Sequence, residues 1–207
     1  MKKYELTSET KVINGVELHR IKALESFGRV EKGELGGWIE SEKNLSQDGD
    51  AWVSGKATVF ENATVEDRAK VDGNAMVCEN VIVSGNAIVS ENATVDGNAT
   101  ISGNAIVSGN ATVEGDATVE DKAKVRGNAM VSGNAKVSRD ADYIVFKNWW
   151  SSGRHFTWTR SNNKWRVGCF YGSGEELIAK AYKDSEKSGR EYERVVKYVE
   201  SILKEEA

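Results

Sequence analysis

Residues 99–116 read ATISGN AIVSGN ATVEGD, three consecutive six-residue units of one pattern. The pattern runs without insertion or deletion from Ala51 to Asp140, fifteen units in all. Ala opens every unit except the one that begins at Val81, and two residues later stands Val, or once Ile101. These apolar residues alternate with polar ones, the period-two sign of a short strand with one inward face. The pair that follows is often Gly-Asn, as at Gly73–Asn74 and Gly103–Asn104. Both residue types tolerate left-handed backbone, so each unit is expected to end in a corner. A strand and a corner every six residues make a prism. With three sides per coil, the fifteen units give a rod of about five coils, about 24 Å long at roughly 4.8 Å per coil. One inward Val per unit, at about 1.5 kcal/mol or more when fully buried, stabilises so narrow a rod.

These units resemble the hexapeptide-repeat signature of left-handed parallel β-helices. There an aliphatic residue fills the interior and a small residue stands four positions later, here Val53 followed by Ala57. The resemblance implies the triangular section and the left-handed sense. The expected fold is therefore mainly β: a left-handed parallel β-helix of about five to six coils, with an N-terminal β cap and a small C-terminal α+β domain. An open coil exposes unpaired strand edges, so both flanks are expected to cover ends.

Residues 1–44 read as that cap. Asn14–Gly15 between apolar runs signals a hairpin, and Gly33–Ile39 reads as a further strand. Ile39 and Leu45 fall in six-residue register with Ala51, so the helix of residues 45–140 is expected to begin with degenerate units. In residues 141–207 the period is lost. Three strands are expected there, Tyr143–Phe146, Phe156–Arg160 and Lys164–Phe170, followed by two helices, the first capped by Ser173. Phe156, Trp158, Trp165, Val167 and Cys169 share the face expected to be buried under the helices.

The net charge of −4 is unevenly spread, with −6 in residues 45–140 and +4 in residues 141–173. An acidic solenoid is a poor partner for DNA or RNA, which demand clustered Lys and Arg. No apolar run is long enough for a membrane span, and the two cysteines have no metal-ligand spacing, so a reduced, cytoplasmic setting is expected. Hexapeptide helices most often resemble acyltransferases, which use a His as general base, commonly near a loop projecting from the helix. Here the repeats hold no His and no inserted loop; His19 and His155 lie in the flanks. Two His are too few for a three-His zinc site. The reading is of a protein that is not an enzyme, with no catalytic residue, no metal and no cofactor.

What remains is surface. Outward Trp52, Met76, Ile82, Ile88 and Ile106 cost hydration unless covered, so a homo-oligomer is expected, with these as candidate interface residues. The related helices commonly form trimers. Ligand chemistry is concentrated in the basic aromatic segment, where Trp149, Trp150, Arg154, His155, Arg160, Lys164 and Arg166 are candidate ligand-binding residues. Arg offers phosphate a fork of donors, and an exposed indole can stack on a base.

The opening KYELTSET…LHRIKAL…GELGGWIESEKNLSQDGDAWVSG and the tail YIVFKNWWSSGRHFTWTRSNNKWRVGCFYGSGEELI resemble a recurrent family of bacteriophage and prophage hexapeptide-repeat proteins. Some phage-encoded left-handed β-helix proteins act as sponges for the nucleotide signals of bacterial immunity. The resemblance implies an oligomer that sequesters a small nucleotide-derived ligand in the host cytoplasm. The alternative from another class is a structural or protein-interaction scaffold.

Overall fold

A computed structural model describes residues 2–205 of the chain. The first two strands, β1 (Tyr4–Ile13) and β2 (Val16–Ala23), form an antiparallel hairpin closed by Asn14–Gly15, both in left-handed backbone at φ 51° and 82°. The next strand, β3 (Leu35–Ile39), pairs antiparallel with β2 on one side. On its other side it pairs in parallel with Thr58–Val59 and so forms the first side of the solenoid. Fifteen two-residue strands follow, β4 to β18, from Trp52–Val53 to Lys136–Val137. They stack in parallel into three faces, giving a parallel β-solenoid of about six coils.

The stacking follows the eighteen-residue interval: Trp52 lies on Lys70, Lys70 on Ile88 and Ile88 on Ile106. Every inward Val and Ala along the rod is buried, so the core is one continuous column of small aliphatic side chains. The corners divide their work between two residues. The fifth position of each unit but the last takes positive φ, whether Gly73 at 68° or Glu61 at 56°, while the sixth does not; in the last unit Arg139 is extended at φ −148°. Asn at the sixth position instead forms ladders up the rod: Asn62 to Asn80 to Asn98 to Asp116, with Nδ2–O distances of 3.0, 3.0 and 2.8 Å.

One irregularity sets the geometry of the N-terminal end. Ile39 pairs with Val59 and Leu45 with Val65, twenty residues on, whereas Val53 pairs with Val71, eighteen on. Ile39 and Leu45 therefore act as inward Val equivalents, although their spacing from Ala51 suggested the Ala position. Two extra residues accumulate in the corner before Ala51. That longer corner presents the carbonyls of Asp48, Gly49 and Ala51 to the buried ammonium of Lys3, at 3.4, 3.2 and 3.1 Å. Burial lowers the Lys3 pKa, with Asp50, Asp48 and Glu25 pulling it back up.

Along the rod, the amide of each outward strand residue donates to the carbonyl of a unit's first residue one coil on, an Ala in every case but Val81, as Thr94 N does to Ala111 O at 2.9 Å. The last coil has no such acceptors. The C-terminal segment supplies one to each face: Asp140 Oδ1 to Lys124 N, Thr157 Oγ1 to Met130 N and Ser161 Oγ to Lys136 N, at 2.8, 2.8 and 2.7 Å.

That segment folds into a four-stranded antiparallel sheet: β19 (Tyr143–Lys147), β20 (His155–Thr159), β21 (Lys164–Val167) and β22 (Phe170–Gly172). Two helices complete it, α1 (Gly174–Asp184) and α2 (Glu186–Glu205). Four strands stand where three were expected, because Gly168, at φ 56°, turns the chain inside Lys164–Phe170. Cys169 falls in this turn and is exposed, so it is no part of the buried face on which alternation placed it. Ser173 caps α1 as expected, its Oγ accepting from Glu176 N. Among the described residues no helix is long and apolar enough to cross a membrane.

Asp142 fastens the junction between rod and C-terminal sheet. Burial pushes its carboxyl upward, but donors outweigh that effect: Ser138 N at 2.9 Å, Arg139 N at 3.1 Å and Arg139 Nε at 3.0 Å. Its pKa ends below the ordinary value. A carboxyl lowered in the folded state binds fewer protons than in the unfolded chain, so its stabilisation is present above the ordinary carboxyl range. It is lost as pH falls through the lower folded value. Asp142→Asn is expected to lower stability at neutral pH and to flatten its decline below about pH 4, a carboxyl's ordinary range. Urea midpoints measured from neutral to acid pH test this; parallel acid limbs in the two proteins would contradict it.

A candidate ligand-binding cleft at the N-terminal cap

The structure does not gather the seven basic and aromatic candidates into one site. Trp150 is buried, packed edge-on against Tyr192 with centroids 5.0 Å apart. It belongs to the core of the C-terminal domain with Phe156, Trp158 and Trp165, which removes it as a stacking platform. Arg166 is spent on docking, its Nε 2.6 Å from Glu114 Oε1 on the solenoid. Arg160 lies over the Trp158 ring at 5.9 Å. His155 and Lys164 are half-buried strand residues paired with Lys147 and Thr159. Only Trp149, 73% exposed, and Arg154 face solvent freely.

The interface candidates also divide. Trp52, 4% exposed, is covered by the chain's own cap, so it is corrected as an interface residue. Met76 packs under the hairpin with Leu18, Phe60 and Cys78. Burial pushes the Cys78 thiol up to about 12, with Asp96, Glu61 and Glu79 adding to the effect. Ile82 remains 42% exposed on its face, while Ile88 and Ile106 are half-buried.

A site that the sequence did not reveal lies at the opposite end of the rod. The chain from Phe27 to Val30 forms a tight turn, with reciprocal N–O bonds of 3.1 and 2.8 Å between those two residues. Gly28 permits it: its φ is +53°, and a Cβ there would stand 3.3 Å from Asp50 Cβ. The turn carries Arg29 at its tip and leans over the solenoid face formed by Trp52, Lys70 and Ile88. Between turn and face is a cleft of about 480 Å³. Its floor crosses three coils, about 10 Å at the β-strand spacing.

Trp52 anchors the floor. Phe27 and Tyr4 meet it edge-on, with centroids at 5.4 and 6.3 Å. Gly36 makes room for it, since a Cβ there would lie 2.6 Å from Trp52 Cζ2. The indole Nε1 is buried and, among the described residues, has no hydrogen-bond partner. Arg29, Arg68 and Lys70 line the cleft with Glu34, Asp50 and Asp72. Among the described residues, none of these three cations has a carboxylate oxygen within 4.0 Å. Burial raises the Asp72 pKa, Lys70 draws it down and Glu91 adds to the rise. A second cavity of about 500 Å³ shares Asp50, Arg68 and Asn86 with the first and adds Gly49, Asp67 and Gly85. Both cavities border the two-residue excess in the corner before Ala51. The phase slip between Leu45 and Val53 shows only in the strand pairing, because Leu45 also stands in six-residue register with Ala51.

Comparison with known families gives one local match: residues 107–121 fit the YdcK beta solenoid repeat. No curated protein matches the chain. The match and the fold together support a repeat β-solenoid, a frame suited to a scaffold or a binding role.

The unpartnered indole N–H makes a stability comparison possible. Trp158 Nε1 donates to Asn163 Oδ1 at 2.8 Å, whereas Trp52 Nε1 finds no acceptor among the described residues. Trp158→Phe loses a bond and strands an acceptor; Trp52→Phe removes an unsatisfied donor. Trp52→Phe is expected to cost less than Trp158→Phe by about 1–3 kcal/mol in denaturant unfolding. Equal costs would mean that the Trp52 N–H is satisfied in solution.

Proposed function

We propose that the protein is a non-catalytic binding protein that captures a small nucleotide-derived ligand in the cleft between the Phe27–Val30 turn and the Trp52 face. The observation that carries this reading is the cleft itself: three cations that, among the described residues, have no carboxylate partner, beside the apolar Val30, Trp52 and Ile88. Arg29, Arg68 and Lys70 are exposed, so an arriving anion can take up charge-assisted hydrogen bonds from them without displacing a carboxylate. The two His do not lie in this cleft, whose titratable side chains are Arg29, Arg68, Lys70, Glu34, Asp50 and Asp72. The family resemblance extends the reading to sequestration of a host immune signal by a phage protein. Retained acetyl transfer from coenzyme A, lost in His155→Ala, would overturn the non-catalytic reading.

The test is calorimetry of the full chain against mononucleotides, cyclic nucleotides and ADP-ribose-type compounds. At least one is expected to bind, and Arg68→Ala to weaken it about tenfold or more, the scale of a charged hydrogen bond. Absence of binding by every compound to a verified folded protein would sink the proposal.

Self-assembly, as a trimer, is part of the proposal. It is supported by Ile82, which stands on a flat face in register between Thr64 and Thr100. Ile82→Lys is expected to shift the mass measured by light scattering toward the monomer. An unchanged mass would remove this face from the assembly.

A further inference from the structure

The cleft carries opposite charges that do not neutralise each other, and this constrains what it can hold. Arg29, Arg68 and Lys70 are matched in number by Glu34, Asp50 and Asp72, so the lining is formally neutral. A polyphosphate chain would satisfy the cations but press its remaining charge against three carboxylates, and like charges brought together cost several kcal/mol. An uncharged ligand would leave the cations desolvated and unpaired. A ligand satisfies both sets only if it brings one compact anionic group and several hydroxyl or amino donors.

The spatial arrangement agrees. Lys70 sits between Trp52 and Ile88 in register, so a cation interrupts an apolar floor. Arg68 stands at the boundary of the two cavities, with Asp50 and Asn86 beside it in both linings. Beyond that boundary Gly49, Asp67 and Gly85 join the shared residues, and no apolar side chain lines the space. On the floor side it is Val30, Trp52 and Ile88.

We infer that the cleft takes a monophosphorylated, polyhydroxylated ring compound, with its phosphate on Arg68 and Lys70, its hydroxyls on Asp50 and Asn86, and any apolar ring against Trp52 and Ile88. The inference rests on the cleft being the binding site, and it narrows the ligand from nucleotide derivatives in general to those of low charge. Two sources share this chemistry, a nucleoside monophosphate and a sugar phosphate.

Calorimetry of the full chain with adenosine 5′-monophosphate, adenosine 5′-triphosphate, adenosine and ribose 5-phosphate separates the cases. The monophosphate is expected to bind at least about tenfold more tightly than either the triphosphate or adenosine, the effect of one charged contact. Ribose 5-phosphate binding as tightly as adenosine monophosphate would assign the site to sugar phosphates; weaker binding would assign it to nucleotides. Either result supports the inference. Asp50→Asn is expected to narrow the gap between mono- and triphosphate, because it removes one repelling carboxylate. A triphosphate bound as tightly as the monophosphate, or adenosine bound equally well, overturns the inference. If that binding is lost in Arg68→Ala, the cleft still stands as the site and only the ligand class falls. No binding by any of the four while an ADP-ribose-type compound, with its two phosphates, binds has the same meaning; binding of a cyclic mononucleotide, which carries one phosphate, supports the inference. No binding by any compound overturns both.

Discussion

Everything at the two ends of this protein follows from the direction of one hydrogen bond. Each outward strand residue donates its amide to a carbonyl one coil further on. The first coil is therefore left with carbonyls that lack donors, and the last with amides that lack acceptors. A buried backbone group without a partner costs as much as a lost hydrogen bond, so the ends need caps of opposite chemistry. The N-terminal cap brings donors: the Lys3 ammonium to Asp48, Gly49 and Ala51, and the Tyr4 hydroxyl to Leu45 O at 2.6 Å. The C-terminal cap brings acceptors from Asp140, Thr157 and Ser161. The caps are not interchangeable, and the rod has a polarity although its repeats are nearly identical.

The candidate site arises where that regularity is broken. A perfect repeat offers flat faces and no concavity. Two extra residues before Ala51 displace the corner, bring Asp50 toward the Gly28 turn and leave room between the cap and the Trp52 face. Trp52 serves both purposes: it seals the cap against the solenoid and floors the cleft, and its N–H has no partner among the described residues. Retaining an unsatisfied donor in a buried wall is the kind of local cost that binding sites tolerate.

The basic C-terminal segment has a structural explanation. Its indoles fill a small core beneath two helices, which a domain of this size needs. Arg166 reaches back to Glu114 and ties that domain to the solenoid, with Ser132 Oγ donating to the same carboxylate oxygen at 2.8 Å. Burial raises the pKa of the neighbouring Asp96, as do Glu114 and Glu79, while Arg166 opposes them. The positive charge of residues 141–173 thus partly answers the negative charge of the rod it caps.

Sequence alone determined the repeat, its strand-and-corner unit, the stacking of Trp52, Lys70 and Ile88 on one face, the Asn14–Gly15 hairpin and the Ser173 cap. These are local or strictly periodic, so neighbouring residues carry the whole signal. It also placed Phe156, Trp158 and Trp165 on one buried face, because alternation along a strand is local. It could not show which Arg would find a carboxylate, that Trp52 and Met76 would be covered by the chain's own hairpin, or that Cys169 would fall in a turn. Nor could it show the cleft, whose walls come from residues 28–34, 50–54, 68–72 and 86–88. Those segments meet only because the coil stacks residues eighteen apart and the cap folds back over them. Which side chains then share a space is decided by packing between distant parts of the chain, which no local pattern records.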